Sequence, residues 1–126
     1  MGYKDHNDYV NFNQASKLEK LGFDWNCNTA YFEEDQAFSV HPASFDFNHV
    51  KGYGQISAPT LALAQKWLRE NKETDLMIVM GFDRSPSYYW YIVSQDNFLE
   101  GLESTETFDS YEEALSDGLD TVLNYL

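Results

Sequence analysis

Two neighbouring apolar runs constrain this chain more than any other feature of its sequence. Leu76 to Phe82 is almost continuously apolar, and Tyr88 to Val93 is aromatic or β-branched at every position. The residues between them, Asp83 to Ser87, have the composition of a hairpin loop. Because the second run is bulky at both odd and even positions, it predicts a strand that is either central in its sheet or covered on both faces. The chain therefore has to fold around an antiparallel hairpin.

Three helices are predicted around this hairpin. The first spans residues 12–21, where Asn11 and Gln14 form a capping-box pattern and Gly22 provides a left-handed end. The second spans about 60–71, after a proline. The third follows Ser110 and runs to the end of the chain, with apolar residues at helical spacing throughout.

The remaining pattern fixes the expected fold class. Thr29 to Glu33 reads as a short strand, and residues 36–57 favour either short strands or a packed loop. Together these elements predict an α+β fold: an antiparallel sheet of three to five strands with about three helices packed on one face. The length of 126 residues predicts a single domain over residues 1–126. Residues 1–9 are expected to form a flexible N-terminus.

The charge of the chain is −13 and is unevenly distributed. From Ser85 to Leu126 there are nine acids and no base. Such a surface repels phosphate groups, so we expect no direct binding to nucleic acid or to anionic membranes. The acidic residues of the last helix form a face that is either simply solvated or docks on a basic partner. These residues are Glu112, Glu113, Asp117 and Asp120.

A single cysteine, Cys27, excludes an intrachain disulfide and is typical of a reducing compartment. Its neighbours include no base that would favour a thiolate, so we expect an inert thiol. The first nine residues are polar and contain no apolar signal region. No apolar run approaches the length of a membrane span. These features predict a cytoplasmic protein.

The aromatic run predicts an interface. In a strand, Tyr89 and Tyr91 share one face, while Tyr88 and Trp90 share the other. One of these faces should meet the helices. An exposed tyrosine or tryptophan on the remaining face would mark a site of protein association. All four residues are therefore candidates for an interface, with coverage by residues 36–57 as the alternative.

The sequence contains few candidate residues for metal binding or catalysis. His41, Asp46 and His49 lie within one irregular segment and supply two imidazoles and a carboxylate, a ligand set that suits a metal ion. Loop spacing does not fix the geometry of such a site, and surface histidines are the alternative. No nucleophile elbow, phosphate-binding loop or EF-hand is present. No catalytic residue and no cofactor are therefore predicted.

Several stretches resemble a family of small uncharacterised proteins from Bacteroidales-type gut bacteria and their phages and mobile elements. They are QASKLEKLGF at 14–23, APTLALAQKWLRE at 58–70, FDSYEEAL at 108–115 and the aromatic strand at 88–93. The resemblance spans most of the chain in order and implies a phage or integrated-element origin and an intracellular location. It implies no reaction, because the family has no assigned one. Residues 36–57 depart from the family pattern.

These observations favour a non-enzymatic protein that binds another protein or a second copy of itself. One alternative is an acidic mimic of nucleic acid that inhibits a basic host protein. Another is a small metal-dependent hydrolase that uses the 41–49 segment.

Overall fold

The structure, a computed structural model, describes residues 8–40, 54–82, 86–95 and 99–126. The fold is α+β, as the sequence predicts. The described strands form two antiparallel sheets, one of three strands and one of two. In chain order the elements are α1 (Phe12–Leu21), β1 (Thr29–Phe32), β2 (Phe38–Val40), β3 (Gln55–Ser57), α2 (Leu61–Asn71), β4 (Thr74–Phe82), β5 (Pro86–Ser94) and α3 (Tyr111–Tyr125).

The chain divides into two compact units, Met1–Thr60 and Leu61–Leu126. The first contains α1 and the three-stranded sheet. The second contains the β4–β5 hairpin with α2 and α3. The single domain expected from the chain length stays a prediction.

Helix α1 begins and ends as its sequence predicts. The Asn11 side chain accepts a hydrogen bond from the Gln14 backbone N–H, and the Gln14 side chain accepts one from the Asn11 N–H, each at 2.8 Å. Gly22 ends the helix with φ 102°, a conformation that a side chain would strain. Phe23 then folds back: its N–H donates to the Leu18 carbonyl, and its ring is buried.

The sheet of the first unit has the order β2-β1-β3. Tyr31 lies at its centre, opposite Phe38 on β2 and Ile56 on β3. The Tyr31 ring packs edge-on against Phe38 with centroids 5.3 Å apart, and its hydroxyl donates to the Val10 carbonyl at 2.7 Å. Burial raises the pKa of the Tyr31 hydroxyl. A short strand is present at each end of the 36–57 segment. Residues 41–53 lie outside the described part of the chain.

The terminal segment is partly described. Tyr9 forms an isolated β-bridge with Thr60, and the N–H of the fully buried Val10 donates to the Pro59 carbonyl at 3.0 Å. Tyr9, the last residue of the segment predicted to be flexible, thus pairs with the residue that precedes α2. Residues 1–7 lie outside the described residues.

In the second unit, the hairpin pairs Thr74 with Ser94 at one end and Phe82 with Pro86 at the other. Helix α2 contacts β4, and α3 contacts both strands. Both helices bury an apolar face, that of α2 consisting of Leu61, Ala64, Trp67 and Leu68. Each of the two leucines contributes about 1.5–3 kcal/mol on full burial, so packing of this apolar face stabilises α2 in the second unit.

Helix α3 begins as predicted, with the Ser110 hydroxyl accepting from the Glu113 N–H at 3.1 Å. It approaches the hairpin most closely at Gly118. A Cβ at this position would lie 2.7 Å from Leu76 Cδ1 and 3.0 Å from Trp90 Cγ. A side chain at this position would therefore require Leu76 and the Trp90 ring to shift. One residue earlier, Asp117 Oδ2 accepts a hydrogen bond from the Trp90 indole Nε1–H at 2.9 Å.

Candidate interaction surface

The register of the hairpin separates its side chains into two faces. Trp90 and Ile92 are almost fully buried and lie opposite Ile78 and Leu76. This inner face is the one that the helices cover, because Gly118 of α3 approaches both Leu76 and Trp90. The other face, called the outer face below, is formed by Met77, Val79, Tyr89, Tyr91 and Val93.

The outer face is apolar and partly open. Tyr89 is 36% exposed and Val93 is 48% exposed, and the other three side chains are half-buried. Tyr91 lies opposite Met77, and Tyr89 lies opposite Val79. The outer face therefore presents two tyrosines and three aliphatic or thioether side chains on adjacent strands. Exposed clusters of this composition are typical of protein interfaces.

The structure places Tyr89 and Tyr91 on the outer face, and Tyr88 and Trp90 on the inner face. Trp90 is only 3% exposed and belongs to the core, where its indole N–H is satisfied by Asp117. Tyr88 is half-buried and packs edge-on against Tyr111, with ring centroids 6.3 Å apart. Both point to the inner face, so neither contributes to an interface on the outer one.

Charged residues surround one end of the outer face. Asp75 lies opposite Val93, and Glu103 forms an isolated bridge with Tyr91. Bridge partners project to the same side of a sheet, so Glu103 joins the outer face. A shallow cleft of about 290 Å³ adjoins Val93 and is lined by charged and polar side chains. These are Arg69, Glu73, Asp75, Ser94 and Gln95.

The ion pair in this cleft is weak. Arg69 Nη1 lies 3.7 Å from Asp75 Oδ1, and both side chains are more than a third exposed. Pairs of this kind contribute about 0–1 kcal/mol, because water screens them and both side chains lose freedom. The carboxylate of Asp75 is thus available to a basic group of a partner. Sequence reasoning missed this cleft, because its residues come from α2 and from the ends of both strands.

The predicted acidic face of α3 is exposed at all four positions, Glu112, Glu113, Asp117 and Asp120. Asp117 also has the structural role of accepting the indole hydrogen bond of Trp90. Cys27 is half-buried. Its burial raises the pKa of its thiol, and this effect outweighs hydrogen bonding with Ser57, Thr29 and the Ala58 backbone, which lowers the pKa. A raised thiol pKa favours the unreactive protonated form, in line with the expectation of an inert cysteine.

The predicted metal ligands His41, Asp46 and His49 lie outside the described residues. Within residues 8–40, 54–82, 86–95 and 99–126, no three His, Cys, Asp or Glu side chains are grouped as a metal site would require. The helices of these same ranges include none with the length and apolar character needed to cross a bilayer. Comparison of the chain with protein-family models, with curated proteins and with solved structures finds no match.

Proposed function

We propose that this chain is a non-enzymatic binding module of the phage or mobile-element type that docks on another protein through its outer face. The observation that carries the proposal is the position of Tyr89 and Val93. They are exposed on a hairpin whose opposite face already meets α3. This apolar surface is not part of the core. Its burial by a partner lowers the free energy, because the surface is removed from water.

The charge of the chain favours a basic partner. Asp75 and Glu103 flank the outer face, and the unit that carries it has thirteen acids and four bases. A partner with an apolar centre and a lysine- or arginine-rich rim complements this pattern. Arginine in particular could lie over a tyrosine ring while it pairs with a carboxylate.

The test compares three versions of the tagged chain as baits in host lysate. They are the wild type, Tyr89→Glu and the matched control Tyr125→Glu, which alters an exposed tyrosine at the end of α3. We expect the same partner on the wild type and the control, with roughly 30-fold weaker binding to Tyr89→Glu, the loss of an aromatic hot spot. Circular dichroism checks that all three fold. A partner that binds all three equally would contradict the proposal.

A second candidate function, the acidic mimic, is favoured by the exposure of all four α3 carboxylates. It predicts the opposite result in the same experiment. Glu112→Gln combined with Glu113→Gln would then release the partner, while Tyr89→Glu would retain it. Binding of a mimic would also weaken steeply as salt is raised, because it depends on long-range charge.

A further inference from the structure

The two edges of the β4–β5 hairpin differ. Residues 101–108 run beside β5 and satisfy its backbone. Tyr88 and Phe108 exchange both N–H···O=C bonds, at 2.9 and 2.8 Å. Farther along, the Ser104 N–H donates to the Trp90 carbonyl and the Ile92 N–H to the Leu102 carbonyl, both at 2.9 Å. The edge of β5 is therefore closed by the chain itself.

These bonds also fix the direction of every backbone group in the hairpin. The groups of Tyr88, Trp90 and Ile92 point away from β4, so the residues between them make the bonds to β4. Their partners on β4 are the odd-numbered residues from 75 to 79. The even-numbered residues Leu76, Ile78 and Met80 accordingly direct their N–H and C=O groups away from β5.

The outward edge of β4 is only partly satisfied. The Leu76 carbonyl accepts a hydrogen bond from Gln65 Nε2. For Ile78 and Met80, the described part of the chain supplies no partner to the outward backbone groups. Met80 is 41% exposed and Ile78 is half-buried. The run from Leu76 to Phe82 also contains no charge and no proline, the usual devices that protect a strand edge.

We infer that a second copy of this chain pairs with the β4 edge, antiparallel about a two-fold axis at Val79. In this register Ile78 of each copy lies opposite Met80 of the other, and the two pairs exchange four backbone hydrogen bonds. Val79 lies opposite Val79 of the second copy. The product is a four-stranded sheet in the order β5-β4-β4-β5, with the two outer faces joined into one surface.

The distribution of charge favours a second copy at this edge. The acids at 100, 103 and 106 follow the edge of β5. On the β4 side, the stretch from Lys66 to Asp75 contains three bases and three acids. Two of the bases and two of the acids form the ion pairs Lys66–Glu70 and Arg69–Asp75. A second copy therefore approaches β4 across a balanced surface, although the whole chain carries −13. Any repulsion between the copies falls as salt is raised.

Disulfide trapping tests the register directly. In a Cys27→Ser background, Val79→Cys places two thiols across the two-fold axis, where facing Cα atoms lie about 4.5 Å apart and a disulfide can form. In the control Met77→Cys, the two thiols lie on the same face of the sheet, but they are four residues apart along it. This separation of about 13 Å is too long for a disulfide. We expect a covalent dimer from mild oxidation of the first variant and none from the second. Equal cross-linking of both variants, or of neither, would overturn the inference.

Sedimentation supplies an independent measurement. We expect the unmodified chain to be dimeric, and Met80→Pro to be monomeric. The proline removes an outward N–H while every bond between β4 and β5 remains. A wild-type monomer at all concentrations would also overturn the inference. Because pairing uses the strand edge and leaves the outer face open, failure here leaves the proposed function intact, and failure of the bait experiment leaves the dimer intact.

Discussion

Gly118 shows how one residue sets the distance between a helix and a sheet. Its missing side chain lets α3 lie directly against Leu76 and Trp90. The sequence pattern placed Gly118 on the buried stripe of α3, but nothing in a single sequence tells which side chains occupy the facing surface. The Asp117–Trp90 hydrogen bond was missed for the same reason, since its partners are 27 positions apart.

We predict that Gly118→Ala destabilises the chain. Alanine favours the helix by about 1 kcal/mol over glycine. The added methyl group, however, meets Leu76 and the Trp90 ring, and overpacking of a core costs typically 1–3 kcal/mol. The packing effect should exceed the propensity effect and lower the free energy of unfolding, measured in urea. The exposed position Glu112, substituted by alanine, is the control and should change it by about 0.5 kcal/mol or less. A stabilised Gly118→Ala would show that α3 moves freely on the hairpin.

A second residue-scale prediction concerns Tyr31 and alkaline pH. Burial raises the pKa of Tyr31 above its ordinary value of 10.0. Below pH 10 the hydroxyl is protonated in both folded and unfolded chains. As pH rises through 10, the unfolded chain ionises first, so the stability falls until the folded hydroxyl ionises as well.

Tyr31→Phe should therefore have two effects. At pH 7 its free energy of unfolding should be about 1 kcal/mol lower than that of the wild type, because the hydrogen bond to the Val10 carbonyl disappears. Between about pH 9 and 11 its stability should decline less steeply than that of the wild type. Denaturant unfolding across this range measures both effects. Parallel pH profiles for the two proteins would mean that Tyr31 does not contribute to the alkaline loss.

At the scale of elements, the segment from Leu99 to Phe108 depends on one anchor. Leu99 is fully buried, and the residues at 100–107 are mostly exposed. Leu99→Ala should cost about 2–5 kcal/mol, as deletions of buried leucine do. Because this segment closes the edge of β5, the amide hydrogens of Tyr88, Ile92 and Ser104 should exchange faster in the variant. Hydrogen exchange followed by NMR measures this, with the amides of α1 as the internal control. Unchanged protection at these three amides would contradict the anchoring role.

Helices were predicted well from the sequence, and the strands less well. All three helices carry their signals locally, in caps such as Asn11 and Ser110 and in the spacing of apolar residues. The hairpin was also evident, although both strands begin two residues earlier than their apolar runs. The path of residues 99–108 along β5 was not predicted, because this segment pairs irregularly and shows no alternation. The division of the strands into two sheets likewise depends on pairing between distant residues.

The alternation also predicted half of the candidate surface. It placed Tyr89 and Tyr91 together on one face, but which face the helices cover depends on Gly118 and the approach of α3. Val93 and Met77 joined the surface only when the register was known. The outward direction of the Ile78 and Met80 backbone groups followed only from the hydrogen bonds between β5 and residues 101–108.

For the whole molecule, the dominant property is a charge of −13. Like charges repel one another more in the compact state than in the extended chain. Raising the ionic strength from about 0.01 M to about 0.15 M shortens the screening length from about 30 Å to about 8 Å. We therefore predict that sodium chloride raises the melting temperature over this range, measured by circular dichroism. Potassium chloride should act equally, because screening does not depend on the cation. A melting temperature that falls with salt would mean that ion pairs such as Arg69–Asp75 outweigh the repulsion.

The position of α3 after the hairpin also determines a waiting time during synthesis. The inner face of the hairpin, with Leu76, Trp90 and Ile92, is complete once Ser94 has been made, yet the helix that covers it ends at Tyr125. At translation rates of 5–20 residues per second, this surface waits about 2–6 s for its cover. During synthesis the inner face of the hairpin therefore lacks the cover of α3 for far longer than the 1–10 μs or so that a hairpin takes to form.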